Sequence, residues 1–552
     1  MRKIVIACML ILTILALPIS ATMVENNATD SVCKTSYEAY ATADELLKAG
    51  YISGVDKTEG NPFMENVGGS KNFRIPALIT LKDGSLLAVA DARYETTGDG
   101  GGLDTIIALS KDNGKNWEQS YAIMYPDSER YAEYISTTCI DPAVVQANDG
   151  TIHIIVDMNP TGVTTMGGYT SPNMGTGYML VDGKQRLALT DNYEMVNTNP
   201  QEKAYPYYLA DMVDGYANVV KTEGNIKTDF YLDGWWNIYK KQGDKLVELT
   251  QKQVDSNRDV QQNAYYKGSC LHVYNTGYML MVSSKDNGKT WSPRVLNTEI
   301  KKDNEKALLV SPGKGTVAKD GTIIIPFYTF DRKGNQIVQQ ASFIWSKDNG
   351  ETWNRTQDAP NNMFVRFSSE SEIVEVNNNT LRMFVRNGRN KIVYIDANWD
   401  ENSNNYIWSY PVETNVPVWS NCNLTALSLE IDGKLAVMVA CPSKKSRQDG
   451  KIYTFLLDEN NNMTVPKYEY SVNTGDYAYS CMDILQDGTI GLLYEAKHGT
   501  MEFINITVDE LTKNAYVNKS GTVAFAVSIG VIGAVMLVAV VIKLVIKKKE
   551  NK

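Results

Sequence analysis

Histidine is nearly absent. Three occur in 552 residues, at His153, His272 and His498, far apart in the chain. That scarcity argues against a multi-histidine metal centre and against a Ser-His-Asp triad. Cysteine is also scarce. Of seven, Cys8 lies in an apolar leader; the other six (Cys33, Cys139, Cys270, Cys422, Cys441 and Cys481) match no zinc-ligand spacing. A chain of this size needs no disulfide framework, and one or two bridges stay open as an alternative. Net positive charge is lacking: the formal charge of −10 argues against nucleic acid and against an anionic membrane surface as partners. Any anion site must therefore be a local cluster of arginines. Long helical periodicity is missing too, except at the two ends.

The N-terminal end, MRKIVIACMLILTILALPISA, has a basic start, an apolar run and small residues at Ser20 and Ala21. It reads as a secretory leader over 1–21. At the other end, Val523 to Ile542 carries no charge, and Lys543, Lys547, Lys548 and Lys549 follow. Such a run is long enough to cross a bilayer, with the basic residues on the cytoplasmic side. The expectation is a single-pass type I protein of the cell membrane. Residues 511–522 form a stem, 523–546 a transmembrane helix and 547–552 a cytoplasmic tail, with the rest outside the cell. Seven Asn-x-Ser/Thr triplets in the outer part, Asn27 to Asn518, fit a secretory route.

The outer region is rich in strand-forming residues. One phrase recurs: an apolar run, an Asp-Gly or Asn-rich turn, then another apolar run, as in ITLKDGSLLAVA and TVAKDGTIIIPF. The turns fall at Asp83, Asp149, Asp320, Asn378, Asp432 and Asp487, so their spacings are 66, 171, 58, 54 and 55. Asp-Gly between such runs signals a hairpin. A period near 55 residues matches a four-stranded propeller blade. Six turns predict six blades, and the one long gap predicts an inserted small β domain over 163–270. The propeller would then occupy 67–162 and 271–510, after an N-terminal segment at 22–66.

A second phrase recurs three times: SKDNGKNW at 110–117, SKDNGKTW at 284–291 and SKDNGETW at 346–353. Each copy offers turn chemistry and a tryptophan to pack beneath it. One firm carboxylate per copy is too few for calcium.

The two ends of a hairpin lie at one edge of a sheet. Residues about eight to ten positions before and after the turns should therefore gather at one rim. Counting back gives Arg74, Asp141, Glu370 and Tyr479; counting forward gives Arg93, Arg386 and Glu495, with Arg447 just past its strand. Several converging arginines need an anion, and a planar guanidinium fork suits a carboxylate ligand such as a sugar acid.

FRIPAL at 73–78, the three SxDxGxTW boxes, the order of the arginines and AYS at 478–480 together resemble the sialidases. The resemblance covers about residues 71–508. The long insertion and PGKG at 312–315 resemble those of the large clostridial-type bacterial enzymes. It implies an all-β, six-bladed propeller with an inserted domain, and an exo-α-sialidase that removes terminal sialic acid from glycoproteins, glycolipids and oligosaccharides. It assigns the carboxylate-binding triad to Arg74, Arg386 and Arg447, the nucleophile to Tyr479, its base to Glu370 and the acid/base to Asp99. Arg93 and Asp141 would contact the sugar ring's substituents, and Glu495 would steady Arg74. A tyrosine nucleophile suits sialic acid, whose carboxylate sits on the anomeric carbon and would repel an ionised Asp or Glu. The resemblance implies no metal and no organic cofactor. Asp104 remains a rival for Asp99, and Glu372 for Glu370; Arg389 is expected to face solvent. A trans-sialidase, an inactive sialic-acid-binding surface protein and an adhesion receptor are the alternative functions.

Overall fold

The computed structural model describes residues 56–517 except 69, 95, 101, 126–136, 161–174, 199–204, 253–258, 303–304, 306, 334–335, 358–367, 378 and 498. The expected leader and everything from 518 onward lie outside the described residues.

Strands form where the apolar runs are. Asn72–Thr80 and Leu86–Arg93 flank the Asp83 turn; Thr137–Gln146 and Ile152–Pro160 flank Asp149; Ser480–Ile484 and Ile490–Lys497 flank Asp487. The turns at Asp320 and Asp432 are flanked in the same way; Asn378 lies outside the described residues, between Ser371–Asn377 and Thr380–Val385. The aspartate side chain closes the turn locally: the amide of Ser85 donates to Asp83 Oδ1 at 3.0 Å and that of Thr151 to Asp149 Oδ1 at 2.9 Å. Leu86–Arg93 (LLAVADAR) is buried at all eight positions, so it reads as a continuous apolar run rather than an alternating one. Apolar cores fill the spaces between neighbouring sheets.

The expectation of six separate blades is corrected. Four sheets of five, five, four and three strands stand as blades, and the first two hairpins lie in one continuous sheet of ten strands. The parallel pair Leu103 with Thr138 joins them, and Gly313–Lys314 adds to Thr137–Gln146 in parallel. Counting turns counts hairpins. Whether adjacent hairpins share hydrogen bonds depends on lateral backbone approach, which turn spacing does not encode.

The expected C-terminal transmembrane helix is likewise not part of the described fold. Among the described residues no helix is long and apolar enough to cross a membrane. The α-helices there are Asn297–Ile300 and Val508–Thr512. The run 523–546 falls outside the described residues, and apolar length alone does not establish a span.

Ile152–Pro160 and Tyr278–Ser284 pair directly, with Met158 opposite Tyr278. The chain between them makes an eight-stranded antiparallel sheet, from Tyr178–Val181 to His272–Val273, and a two-stranded ribbon. Its Leu232, Trp235, Trp236 and Tyr265 share a single core with Ile154, Val156 and Tyr278, which fastens the insertion to its parent sheet. The five described cysteines (Cys139, Cys270, Cys422, Cys441 and Cys481) are unpaired.

In each SxDxGxTW box the serine and aspartate satisfy backbone donors. Gly288 N donates to Ser284 Oγ at 2.8 Å, and Thr290 N to Asp286 Oδ1 at 2.9 Å. Trp291 is fully buried beneath. The boxes also staple neighbouring hairpins: Asn113 Nδ2 donates to Asp487 at 2.8 Å and Asn287 Nδ2 to Asp83 at 3.3 Å. They share the turn end of the hairpins with Asp83 and Asp487, while Arg74 and Arg93 lie at the other end.

Candidate active site

Two bulges aim the first side chains into the site. Pairing slips by one residue between Arg74 and Ala77, and again between Ile140 and Ala143. Ile75 and Asp141 sit at φ 61° and 63°, each just before a proline. A β-branched residue at positive φ is a genuine outlier, and bulges re-aim side chains beside functional sites. Ile75 is held there by its own amide, which donates to Glu495 Oε1 at 2.9 Å.

Arg74 and Glu495 are both buried. Arg74 Nε reaches Glu495 Oε1 at 3.1 Å and its Nη2 reaches Oε2 at 3.3 Å, while Nη1 points to Asp99 Oδ1 at 3.4 Å. Arg93 donates Nη1 to Asp99 at 2.6 Å and to Thr97 O at 2.8 Å. Its Nε and Nη2 grip Asp91 Oδ2 at 3.3 and 2.7 Å. Asp99 itself is 59% exposed at its side chain. Partial burial works to raise its pKa, but Arg93, then Arg74 and Arg447, outweigh it and hold the carboxyl below the usual range.

Across the site, Tyr479 Oη donates to Glu370 Oε1 at 2.8 Å. Arg386 Nη1 touches both, at 3.0 Å from the phenol and 2.7 Å from Glu370. Its remaining edge rests on Asn421 Oδ1 at 3.1 and 3.2 Å. Burial, then Glu370, pushes the Tyr479 phenol well above its ordinary pKa, so it is neutral at rest. The second oxygen of Glu370 is buried without a hydrogen-bond partner among the described residues. Arg74 and Arg447 lie 5.7 and 5.2 Å from the centre of the Tyr479 ring.

Arg447 forms no hydrogen bond or ion pair through its side chain among the described residues. It rides a turn in which Ser446, Arg447 and Asp449 all take positive φ, of 68°, 58° and 61°. Tyr477 N donates to Arg447 O at 2.8 Å, which ties that turn to the segment bearing Tyr479. Gly450 permits the approach: a Cβ there would stand 2.2 Å from the Tyr477 ring.

Desolvation, then Asp91, drives the Asp141 carboxyl well above its usual range. The Asp141 amide donates to Asp91 Oδ1 at 3.1 Å. Burial pushes Asp91 up to about 7 against the opposing pull of Arg93.

Eight of the nine residues expected from the sequence thus bond at this rim through side chain or backbone, and the ninth, Arg447, faces the Tyr479 ring. The rivals do not. Asp104 is fully buried and accepts from Tyr94 Oη at 2.7 Å and Tyr125 N at 3.0 Å. Glu372 is buried near the Lys314–Asp483 ion pair, outside the network. Arg389 is exposed and pairs with Glu413 at 3.4 Å. Sequence reasoning missed Asp91 and Asn421. Asp91 carried a signal, a charge inside an apolar strand two residues from Arg93; Asn421, in a loop, carried none. Among the described residues no group of three or more His, Cys, Asp or Glu side chains is arranged to hold a metal ion.

A β-propeller-like frame with a rim of arginines, carboxylates and one buried tyrosine defines a protein class, and the BNR repeat-like domain matches residues 75–495. Within that class, the chain belongs to the sialidase family of bacterial type. It is 27% identical over 507 residues to an anhydrosialidase from Macrobdella decora, covering 83% of this chain and 62% of that protein. Against sialidase B of Streptococcus pneumoniae the identity is 24% over 481 residues, covering 80% and 65%. The chain therefore spans a little under two thirds of the length of both. The solved intramolecular trans-sialidase of Ruminococcus gnavus superposes with a TM-score of 0.65 at 26% identity, covering 80% of this chain and 96% of that one.

Proposed function

We propose that the chain is an exo-α-sialidase, a retaining glycoside hydrolase acting on terminal sialic acid of glycoproteins, glycolipids and oligosaccharides. The observation that carries the reading is the 2.8 Å bond from Tyr479 Oη to Glu370 inside a ring of arginines, of which Arg447 forms no side-chain hydrogen bond or ion pair among the described residues. Arg74, Arg386 and Arg447 bind the substrate carboxylate, and Arg93 and Asp141 contact the ring substituents. Tyr479 Oη attacks the anomeric carbon while Glu370 takes its proton. Asp99 protonates the departing glycosidic oxygen. Water then attacks the same carbon, giving a proton to Asp99, and Tyr479 leaves with the proton returned from Glu370. Two inversions give net retention. A neutral phenol approaches the sugar carboxylate without charge repulsion. Substrate also prepares its own acid: its carboxylate neutralises Arg74 and Arg447, two of the groups that hold Asp99 low.

Release of a fluorescent group from an aryl α-sialoside tests the reading, with Tyr479→Phe alongside. We expect wild-type turnover and a loss of about 10²–10⁴-fold in the variant. No wild-type release sinks the enzyme reading; full activity in Tyr479→Phe sinks the nucleophile. A second reading, transfer instead of hydrolysis, is supported by relatives named anhydrosialidase and intramolecular trans-sialidase at 27% and 26% identity. The tyrosyl intermediate is common to both, so the product decides: free sialic acid for the hydrolase, a 2,7-anhydro sugar or a sialylated acceptor for transfer. The leader-like residues 1–21 support action outside the cell.

A further inference from the structure

We propose that Asp91 is a positioning residue for proton donation: its one buried carboxylate sets Arg93, and through Arg93 the loop that carries Asp99. The inference deepens the sialidase reading and rests on it.

Asp91 is wholly buried on Leu86–Arg93, two residues before Arg93 and on the same face of the strand. Its two oxygens face different tasks. Oδ2 accepts Nε and Nη2 of Arg93 at 3.3 and 2.7 Å. Oδ1 accepts the amide of Asp141 at 3.1 Å, at the bulge where that residue is held at φ 63°. A carboxylate needed only to neutralise Arg93 would not also hold the bulge of the neighbouring hairpin.

The geometry passes outward from there. A guanidinium is planar, so gripping its Nε and Nη2 edge fixes the direction of Nη1. Nη1 is the nitrogen that reaches Thr97 O at 2.8 Å and Asp99 Oδ1 at 2.6 Å. The loop runs GDGGG from Gly98 to Gly102, a stretch with little backbone preference of its own. Arg74 adds a longer contact to Asp99, at 3.4 Å. The most exposed member of the catalytic set thus takes its position from a buried residue two contacts away.

A displacement of about 1 Å in a reacting group can cost about 10²-fold in rate. Here the part of that cost passed through Arg93 to Asp99 should fall on one step, while any loss of sugar contacts at Arg93 and Asp141 is common to all leaving groups. A sugar alcohol cannot leave without a proton; an acidic phenol departs as a stable phenolate. Loss of Asp91 should therefore discriminate between leaving groups, whereas general loosening of the fold should not.

The test measures kcat/KM for sialyllactose and for an aryl α-sialoside with an acidic phenol, together with thermal unfolding. The proteins are wild type, Asp91→Asn, Asp99→Asn and the double variant. We expect Asp91→Asn to lose roughly 10–100-fold on sialyllactose, with the loss on the aryl sialoside about tenfold smaller. Asp99→Asn should show the same split more deeply, and adding Asp91→Asn to it should leave the split no deeper, any further loss being equal on both substrates. Parallel losses on both substrates, or full additivity in the double variant, overturn the inference while leaving the sialidase reading intact. A wild type that releases neither leaving group overturns that reading and the inference with it. Asp91→Glu keeps the charge but shifts the guanidinium by a methylene. It should show the same split, smaller, and stands in for Asp91→Asn should the latter not fold; parallel losses in it overturn the inference equally.

Discussion

The box aspartates at the turn end of the hairpins and the desolvated strand aspartates at the site end stand in opposite electrostatic settings. At the turn end, Asp112, Asp286 and Asp348 sit among donors. The Asn116 side-chain amide holds Asp112 below the usual carboxylate range; for Asp286 and Asp348 slight burial opposes, but Thr290 and Thr352 outweigh it. At the site end, Asp91, Asp141 and Asp157 are desolvated and pushed up. The turn end uses carboxylates to close backbone loops, where water shares the work. At the site end Asp91 fixes Arg93 and the bulge at Asp141 away from water, where each unpaired group is costly. The same residue type thus closes an exposed turn at one end and bears the cost of desolvation at the other.

The largest stability effect should come from Glu495→Ala. It removes two of the three side-chain bonds of buried Arg74, leaving the one to Asp99, and the bond that holds Ile75 at positive φ. Breaking a buried pair from one side costs about 3–5 kcal/mol. Urea unfolding should show it, and a loss under about 1 kcal/mol would erase the contrast between the two ends. The loss in kcat/KM should exceed what unfolding explains, because Arg74 would be misdirected.

Asp157 sharpens the contrast through pH. It is buried, with Oδ1 accepting Val310 N at 2.9 Å and Oδ2 without a hydrogen-bond partner among the described residues. Desolvation, then Asp141, raises its folded pKa well above the unfolded value. The folded state therefore binds the proton more tightly than the unfolded chain. Its stabilising contribution is present below the unfolded pKa and is lost as pH rises toward the folded one. Asn is the isostere of the neutral acid and has no such slope. Asp157→Asn should match wild type near pH 4 and exceed it progressively toward pH 7 in thermal unfolding. A difference that stays flat, or that shrinks with rising pH, would mean the buried carboxyl is not desolvated as described.

Legibility in the sequence follows the same division. The hairpins were readable because an Asp-Gly turn is a local signal, decided by residues within two positions of it. The rim residues were readable because strand counting from those turns is also nearly local. Arg74 and Asp141 sit on bulged strands, so a count of fixed length from the turn misses by a residue unless the tolerance is wide. The network's hidden members depend on packing between hairpins far apart in sequence. Asp91 meets Asp141, and Asn421 meets Arg386, through contacts that no spacing announces. The blade count failed for that reason too. Leu103 and Thr138 pair across two hairpins and merge them, although each hairpin was placed by its own turn.

The smallest effect belongs to the turn end, and it should be separable from function. Asp286→Ala removes acceptors from Lys289 N and Thr290 N, at 3.1 and 2.9 Å, and from the Thr290 hydroxyl at 2.6 Å. The box remains exposed, so water replaces much of what is lost, as at a helix N-cap. Ser284 Oγ still accepts Gly288 N, and Trp291 keeps its buried position and its bond to Gly288 O at 3.2 Å. About 1 kcal/mol of stability should go, with kcat/KM unchanged below the unfolding transition. A fall in kcat/KM without a matching fall in stability would mean that the staple from Asn287 to Asp83 reaches the arginine rim. The two ends would then be one cooperative unit rather than two separately built ones.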